Sequence, residues 1–335
     1  MSKRRAATLM VVSLIVVMGL FEAGIRVASR HIEEPLVYWN WETQHKVASM
    51  DALAKKGGAS VVFVGSSIVQ TVNPRLVSRA LGLERPAFNA ALNGSGMQAW
   101  ELWVRSIVVP KLQPKVVVLG FNAEGLNDHG LQQREYYDSM IGSTFGARLD
   151  GRGGMIDRFE GWWAEHSYLI RYRTLLRKPW SAFKNQDADD KRAAVTELGT
   201  LESITGFMSH PYRAQPPGLV PGWRRQFNDY TPGGSMLDRL DDLARFLEER
   251  GIRLLVVRMP ISKDIVGVQP TWAADRERFS QVLDPFIEEK GIPFFDAESA
   301  VGSSPEVFVD SVHLNARGSN VISAKLAEAI APLLE

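Results

Sequence analysis

A chain of 335 residues, 45% hydrophobic and 23% charged, is long and apolar enough for one large α/β domain or two modest ones, which excludes wholesale disorder. Its formal net charge of +1 lacks the basic excess of a nucleic-acid footprint, so no nucleic-acid partner is expected. The absence of cysteine excludes disulfides, thiolate metal sites, a cysteine nucleophile and a lipid-modified N-terminal cysteine.

In chain order, Lys3, Arg4 and Arg5 come first and precede an apolar run from Ala6 to Phe21. That run is shorter than the ~20 residues that cross a bilayer comfortably. Apolar character resumes weakly after Glu22, and a span is completed if Glu22 and Arg26 lie near the interface. The basic start keeps the N-terminus inside and sends the remainder across. Residues 1–28 therefore read as a single-pass cell-membrane anchor, with the bulk of the chain on the extracytoplasmic, periplasmic side. A cleaved signal peptide is the alternative; no clean small-x-small site follows the run, which favours an uncleaved anchor. Residues 29–55 read as a juxtamembrane stem carrying Trp39 and Trp41 and ending in a helix near Val47–Lys55.

Ser60–Val64 reads as a short buried strand, followed by Gly65-Ser66-Ser67. Pro74–Leu81 is a helix candidate, and Pro86–Leu92 a second strand ending in Asn93-Gly94-Ser95-Gly96. Gln98–Val109 is helical in pattern, with Pro110 and Pro114 bracketing the turn after it. Lys115–Leu119 is a Val-rich strand. Asp238–Glu249 is the helix before the strand Ile252–Val257, Pro293–Phe295 is a last short strand, and Asn315–Leu333 is a C-terminal helix. Strands apolar on both faces, separated by helices, indicate a mostly parallel sheet covered on both sides, an α/β three-layer α/β/α sandwich. Residues 56–335 form this domain. Residues 129–235, rich in Gly, Pro and aromatics, are too long for an ordinary connection and read as an insertion that caps the active-site end.

Functional groups of such sheets collect beyond the carboxyl ends of the strands. Gly65-Ser66-Ser67 follows the first strand, where a sharp turn presents a hydroxyl. A serine hydroxyl needs a base and an orienting acid. His313 is the candidate base and Asp310, three residues before it, the candidate acid.

Together these pieces resemble the SGNH/GDSL hydrolase superfamily, and among its members the membrane-anchored ones of the cell envelope. The usual first block, Gly-Asp-Ser, stands here as Gly65-Ser66-Ser67, which makes Ser67 the matching nucleophile and leaves Ser66 as its competitor. Phe88-Asn89-Ala90-Ala91-Leu92-Asn93-Gly94 matches the second block and implies Gly94 as the oxyanion-hole glycine. Gly120-Phe121-Asn122 matches the Gly-x-Asn block; Gly125-Leu126-Asn127-Asp128 matches it too. Asn122 is preferred because it lies immediately after a strand. Asp310-Ser311-Val312-His313 matches the final Asp-x-x-His block, and Leu314-Asn315-Ala316-Arg317-Gly318 its usual continuation. The resemblance covers about 60–128 and 250–333, not the insertion. It implies a flavodoxin-like SGNH fold, catalysis by Ser67, Asp310 and His313, and an oxyanion hole from the Ser67 and Gly94 N–H groups and the Asn122 amide. It also implies ester hydrolysis or O-acyl transfer with no cofactor and no metal.

Other readings are poorer. Gly94-Ser95-Gly96-Met97-Gln98-Ala99 matches a dinucleotide fingerprint, but the next strand ends in Gly120-Phe121-Asn122 without the acid that fingerprint needs. Val69 stands where an α/β-hydrolase elbow needs glycine. His31, His45, His129, His166 and His210 show no ligand spacing. With an outward-facing domain, the expected substrate is an acylated envelope carbohydrate or lipid, and the expected company an envelope polysaccharide-modification complex. A non-catalytic envelope-assembly protein that retains the fold is the alternative.

Overall fold

The fold, a computed structural model, describes residues 3–29, 41–129, 155, 159, 163, 166–171, 195–196, 199–201, 205–209 and 223–335. They belong to two compact units, one of residues 1–40 and 139–190, the other of residues 41–138 and 191–335.

In the first unit, helix α1 (Lys3–Ala28) is long and apolar enough over Thr8–Ala28 to cross a membrane. Leu14, Ile15, Leu20 and Phe21 on it are exposed. Glu22 interrupts the apolar run for a structural reason. Its carboxylate accepts from Ser167 Oγ at 2.8 Å and from the N–H groups of Tyr168 and Leu169 at 2.7 and 3.0 Å. Arg26 lies over the Tyr168 ring at 5.0 Å.

The second unit opens with α2 (Trp41–Ala54) and is built on a five-stranded sheet of β1 (Val61–Gly65), β2 (Ala87–Asn89), β3 (Val116–Phe121), β7 (Arg253–Arg258) and β8 (Phe294–Asp296). The order is β2-β1-β3-β7-β8 and every pairing is parallel. This is the flavodoxin-like order. Every residue of β1 and β3 is buried, which explains their continuous apolar character. Each fully buried Val, Leu or Phe there contributes roughly 1.5–3 kcal/mol over an exposed one. Between the strands lie α3 (Ser67–Gln70), α4 (Pro74–Ala80), α5 (Met97–Trp103), α6 (Val109–Leu112), α8 (Gly234–Glu248) and α9 (Trp272–Lys290), and after the last strand come α10 (Ala297–Val301) and α11 (Ala316–Ile330). Helix α4 packs on α11, and α5 on α8.

Three expectations shift. The helix from Met97 does not stop at Val109. It widens through a π-type turn at Val104–Val108 and resumes as α6, and that wider turn stands directly before Pro110, which can donate no N–H to the preceding helix. The strand expected over Pro86–Leu92 pairs only at Ala87–Asn89. Helix α2 begins at Trp41, well before the expected Val47. Helix α9 was not expected at all. Pro285 in its interior reads as a break, yet Trp272, Phe279, Leu283 and Ile287 bury one face.

The insertion expected over 129–235 lies largely outside the described residues, as do Trp162 and Tyr172. Described within it are α7 (Tyr168–Arg171) in the first unit and, in the second, an antiparallel sheet of β4 (Val195–Thr196), β5 (Gly199–Leu201) and β6 (Met208–Ser209).

Candidate active site

The strand register sets the site. Gly65 pairs with Gly120, so Ser67 and Asn122 each lie two residues past the same level of neighbouring strands. Leu92 N–H donates to Gly65 O at 2.9 Å, which brings Gly94 to the other side of the β1 terminus. The chain turns from β1 to β2 on one side and to β3 on the other, so Ser67 sits at the switch point where α/β sheets bind ligands. A Cβ on Gly65 would stand 2.3 Å from Gly120 O and 2.4 Å from Val69 Cγ2, and only glycine lets α3 fold back so closely.

Ser67 is the first residue of α3 and is half-buried. Its Oγ lies 2.8 Å from His313 Nε2, and His313 Nδ1 lies 2.7 Å from Asp310 Oδ2. His313 is 2% exposed and Asp310 9%, so the relay is shielded except at its serine end. Ser66 precedes the helix as its cap residue, and the imidazole meets Ser67.

Local sequence explains how Asp310 and His313 are held. Val309 N–H donates to His313 O at 2.8 Å and Phe308 pairs with Leu314, closing a tight turn. Asp310 divides its carboxylate: Oδ1 accepts from the N–H groups of Val312 and His313, both at 2.8 Å, and Oδ2 faces the ring. Burial alone would raise this carboxyl. The facing His313 charge, the ring hydrogen bond and the two backbone donors prevail and hold it below its ordinary value. Asn315 caps α11 by accepting from Arg317 and Gly318 N–H at 2.9 and 3.1 Å. A Cβ on Gly318 would stand 2.3 Å from Val307 O. The Leu314–Gly318 sequence therefore fixes the turn against the last helix.

The two candidate oxyanion asparagines differ sharply. Asn127 is fully engaged: Nδ2 donates to Gln226 O at 2.5 Å, and Oδ1 accepts from Thr231 N–H at 3.0 Å. Asn122 is 2% exposed, and its Nδ2 has no hydrogen-bond partner among the described residues. A buried amide donor left open at a strand end calls for a ligand acceptor.

Sequence reasoning missed Asn89 as a brace. Its Nδ2 donates to Val69 O and Val72 O, each at 2.9 Å, and its Oδ1 accepts from Ala91 N–H at 3.1 Å. It ties α3 to the segment leading to Gly94; a polar residue among buried apolar ones was the available signal.

Glu124, two residues beyond Asn122, was also missed. Burial pushes its carboxyl up to about 7, against one opposing backbone hydrogen bond. The folded chain thus holds this proton more tightly than the unfolded one. The resulting stability is fully present below the ordinary value of 4.5 and is lost as pH rises to about 7. Glu124→Gln should flatten that decline and stabilise the protein above pH ~7 by on the order of 2–3 kcal/mol. Thermal unfolding at pH 5 and pH 8 checks this; an unchanged pH dependence would assign the titration elsewhere.

Comparison with solved structures returns distant likenesses. The lipase/acylhydrolase from Enterococcus faecalis is 13% identical with a TM-score of 0.42, over 82% of this chain and 96% of that one. A GDSL-like lipase from Bacteroides thetaiotaomicron is 13% identical with a TM-score of 0.41, over 87% and 97%. A carbohydrate acetylesterase family member from Sinorhizobium meliloti is 12% identical with a TM-score of 0.38, over 82% and 99%. No protein-family model and no curated protein matches the chain.

Proposed function

We propose that this chain is an extracytoplasmic serine ester hydrolase or O-acyltransferase, anchored by α1, that acts on an acylated envelope carbohydrate or lipid. The observation that carries this reading is the relay from Asp310 through His313 to Ser67 at 2.7 and 2.8 Å.

His313 Nε2 takes the Ser67 proton as Oγ attacks the ester carbonyl carbon. The carbonyl π electrons move to oxygen. That oxyanion is held by the Ser67 and Gly94 N–H groups and Asn122 Nδ2. Asp310 stabilises the imidazolium and fixes its tautomer. Collapse of the tetrahedral adduct breaks the bond to the leaving alkoxide, which receives the proton from His313 and departs as the alcohol. The acyl-serine that remains is attacked by water or by a sugar hydroxyl, with His313 again accepting the proton, and Ser67 is regenerated. Hydrolase and transferase differ only in which hydroxyl arrives.

Mass spectrometry of the intact chain after exposure to an activated acetyl ester tests the reading. One acetyl adduct on Ser67 is expected, released as free acetate in water or as an acetylated sugar when saccharide acceptors are present. Absence of any adduct on folded protein, under conditions that acetylate a known serine esterase, would remove the enzymatic reading in favour of a non-catalytic envelope protein.

The anchored topology rests on Lys3–Arg5 before the apolar span. A reporter active only in the periplasm should be active when fused after Glu335, and high salt should leave the protein in the membrane fraction. A full-length cytoplasmic, soluble product contradicts it.

A further inference from the structure

Helix α2 lies outside every motif discussed above, yet its inner face carries charge. Glu42, Lys46 and Met50, spaced one helical turn apart, are 3%, 1% and 0% exposed. A helix that only closed a core would bury apolar side chains there, since taking a carboxylate and an ammonium out of water costs several kcal/mol each. Glu and Lys four apart on a helix normally form a solvated surface pair, so sequence alone does not reveal this one.

Their partners converge on one segment. Lys46 Nζ donates to Ala91 O at 2.5 Å and to Asn89 O and Gly206 O, each at 3.2 Å. Three carbonyls match the three N–H bonds of an ammonium. Glu42 stands 3.8 Å from Lys46 and accepts from Asn93 N–H at 3.3 Å. It also accepts from Gln70 Nε2, and Gln70 reaches Ala91 O at 3.3 Å. Gln70 is the last residue of α3, the helix that Ser67 begins. Glu42 thus touches both the peptide before Gly94 and the helix that presents the nucleophile.

We propose that Glu42 and Lys46, on the inner face of the first turns of α2, are positioning residues that fix the oxyanion-loop peptides Ala91–Gly94 relative to Ser67. The inference rests on the serine-ester reading of the site and adds to it a pair that touches no substrate. Asn93 is exposed and Gly94 half-exposed, so the outer side of this loop has little protein against it. Its inner side is held by Leu92 N–H on Gly65 O at 2.9 Å, by Ser95 Oγ on Leu92 O at 2.6 Å and by the α2 pair, which adds the contacts at Ala91 O and Asn93 N–H. The need is geometric: a displacement near 1 Å at a catalytic group can cost on the order of 100-fold in rate. Burial pushes the Lys46 ammonium down to about 8, opposed by Glu42, and pushes the Glu42 carboxyl up, opposed by Lys46 and the Asn93 and Gln70 donors. Each residue therefore offsets part of the other's burial cost.

The test separates positioning from folding in the full-length chain. Glu42→Gln and Lys46→Met each leave one buried charge unpaired and should both lower the thermal midpoint and reduce kcat. The double variant removes both charges and should recover part of the midpoint, because no lone buried charge remains, although Asn89 O, Ala91 O and Gly206 O lose the Lys46 donor. Its kcat on an activated acetyl ester should stay reduced by roughly 10- to 100-fold with KM within about 2-fold, because the loop has lost its grip. Amide exchange of the 89–95 segment should accelerate in the same variant. Asp51→Asn breaks the ion pair of α2 with Lys111 and should leave kcat unchanged. Recovery of kcat together with stability in the double variant would overturn the positioning role while leaving the serine-ester reading intact. An inactive, unlabelled wild type would overturn that reading, and the inference with it.

Discussion

Ser67→Ala should abolish covalent labelling by a fluorophosphonate, while Ser66→Ala should label like the wild type. The imidazole decides between the two adjacent hydroxyls: Nε2 stands 2.8 Å from Ser67 Oγ. His313→Ala should slow labelling and turnover by roughly 10⁴-fold or more, because the remaining hydroxyl keeps its proton during attack. Asp310→Asn is the more informative change. Its carbonyl oxygen can still accept from Val312 and His313 N–H, so the turn survives. Its amide, however, presents N–H to His313 Nδ1, which then turns its lone pair inward and protonates Nε2. A loss on the order of 10³–10⁴-fold is expected with little change in thermal midpoint. Labelling of Ser66 in the wild type, or full activity in His313→Ala, would break the assignment. Intact-mass spectrometry with time-resolved labelling reads all four variants.

Asn122→Ala should lower kcat by roughly 10²–10³-fold, about 3–4 kcal/mol of transition-state stabilisation, and leave folding nearly untouched. The amide has no hydrogen-bond partner among the described residues, so its removal breaks no bond seen in the fold. Asn127→Ala should behave in the opposite way. It deprives Thr231 N–H of an acceptor and Gln226 O of a donor, and should cost roughly 1–3 kcal/mol of stability with kcat preserved. Measuring kcat and the thermal midpoint for both variants gives a crossed pattern. A large kcat loss confined to Asn127→Ala would reverse the assignment.

Much of this was legible before the fold was known, and the reason is physical. Strands buried on both faces must be written in Val, Leu and Phe, so β1 and β3 stood out. Their carboxyl ends carry Gly65-Ser66-Ser67 and Gly120-Phe121-Asn122, where polar residues break the apolar runs. Asp310 and His313 were singled out less by their three-residue spacing, a weak signal alone, than by the resemblance of Asp310-Ser311-Val312-His313 to a family block. What remained hidden depends on contacts distant in sequence. Asn122 and Asn127 fit the same short pattern; placement directly after a strand favoured Asn122, but the hydrogen bonds that engage Asn127 were not readable. Helix α9 went unread, and it tolerates the interior Pro285 because Trp272, Phe279, Leu283 and Ile287 bury one face of it. The inner face of α2 was illegible for the opposite reason: Glu42 and Lys46 look like surface residues until the chain folds over them.

The sheet order also shapes how the protein is made. During synthesis, β1, β2 and β3 emerge close together, but β7, the partner of the other edge of β3, follows roughly 130 residues later, about 7–26 s at ordinary rates of synthesis. For that interval the Val116–Phe121 edge is open and apolar, the kind of template on which nascent chains aggregate, and it calls for a chaperone's cover. Ser67 is meanwhile without its hydrogen bond to His313, which arrives later still, with the turn at Asp310–His313. On the proposed serine-ester reading, reactivity is thereby deferred until the sheet has closed, and a truncated chain that stops short of that turn would carry the proposed nucleophile but be chemically mute.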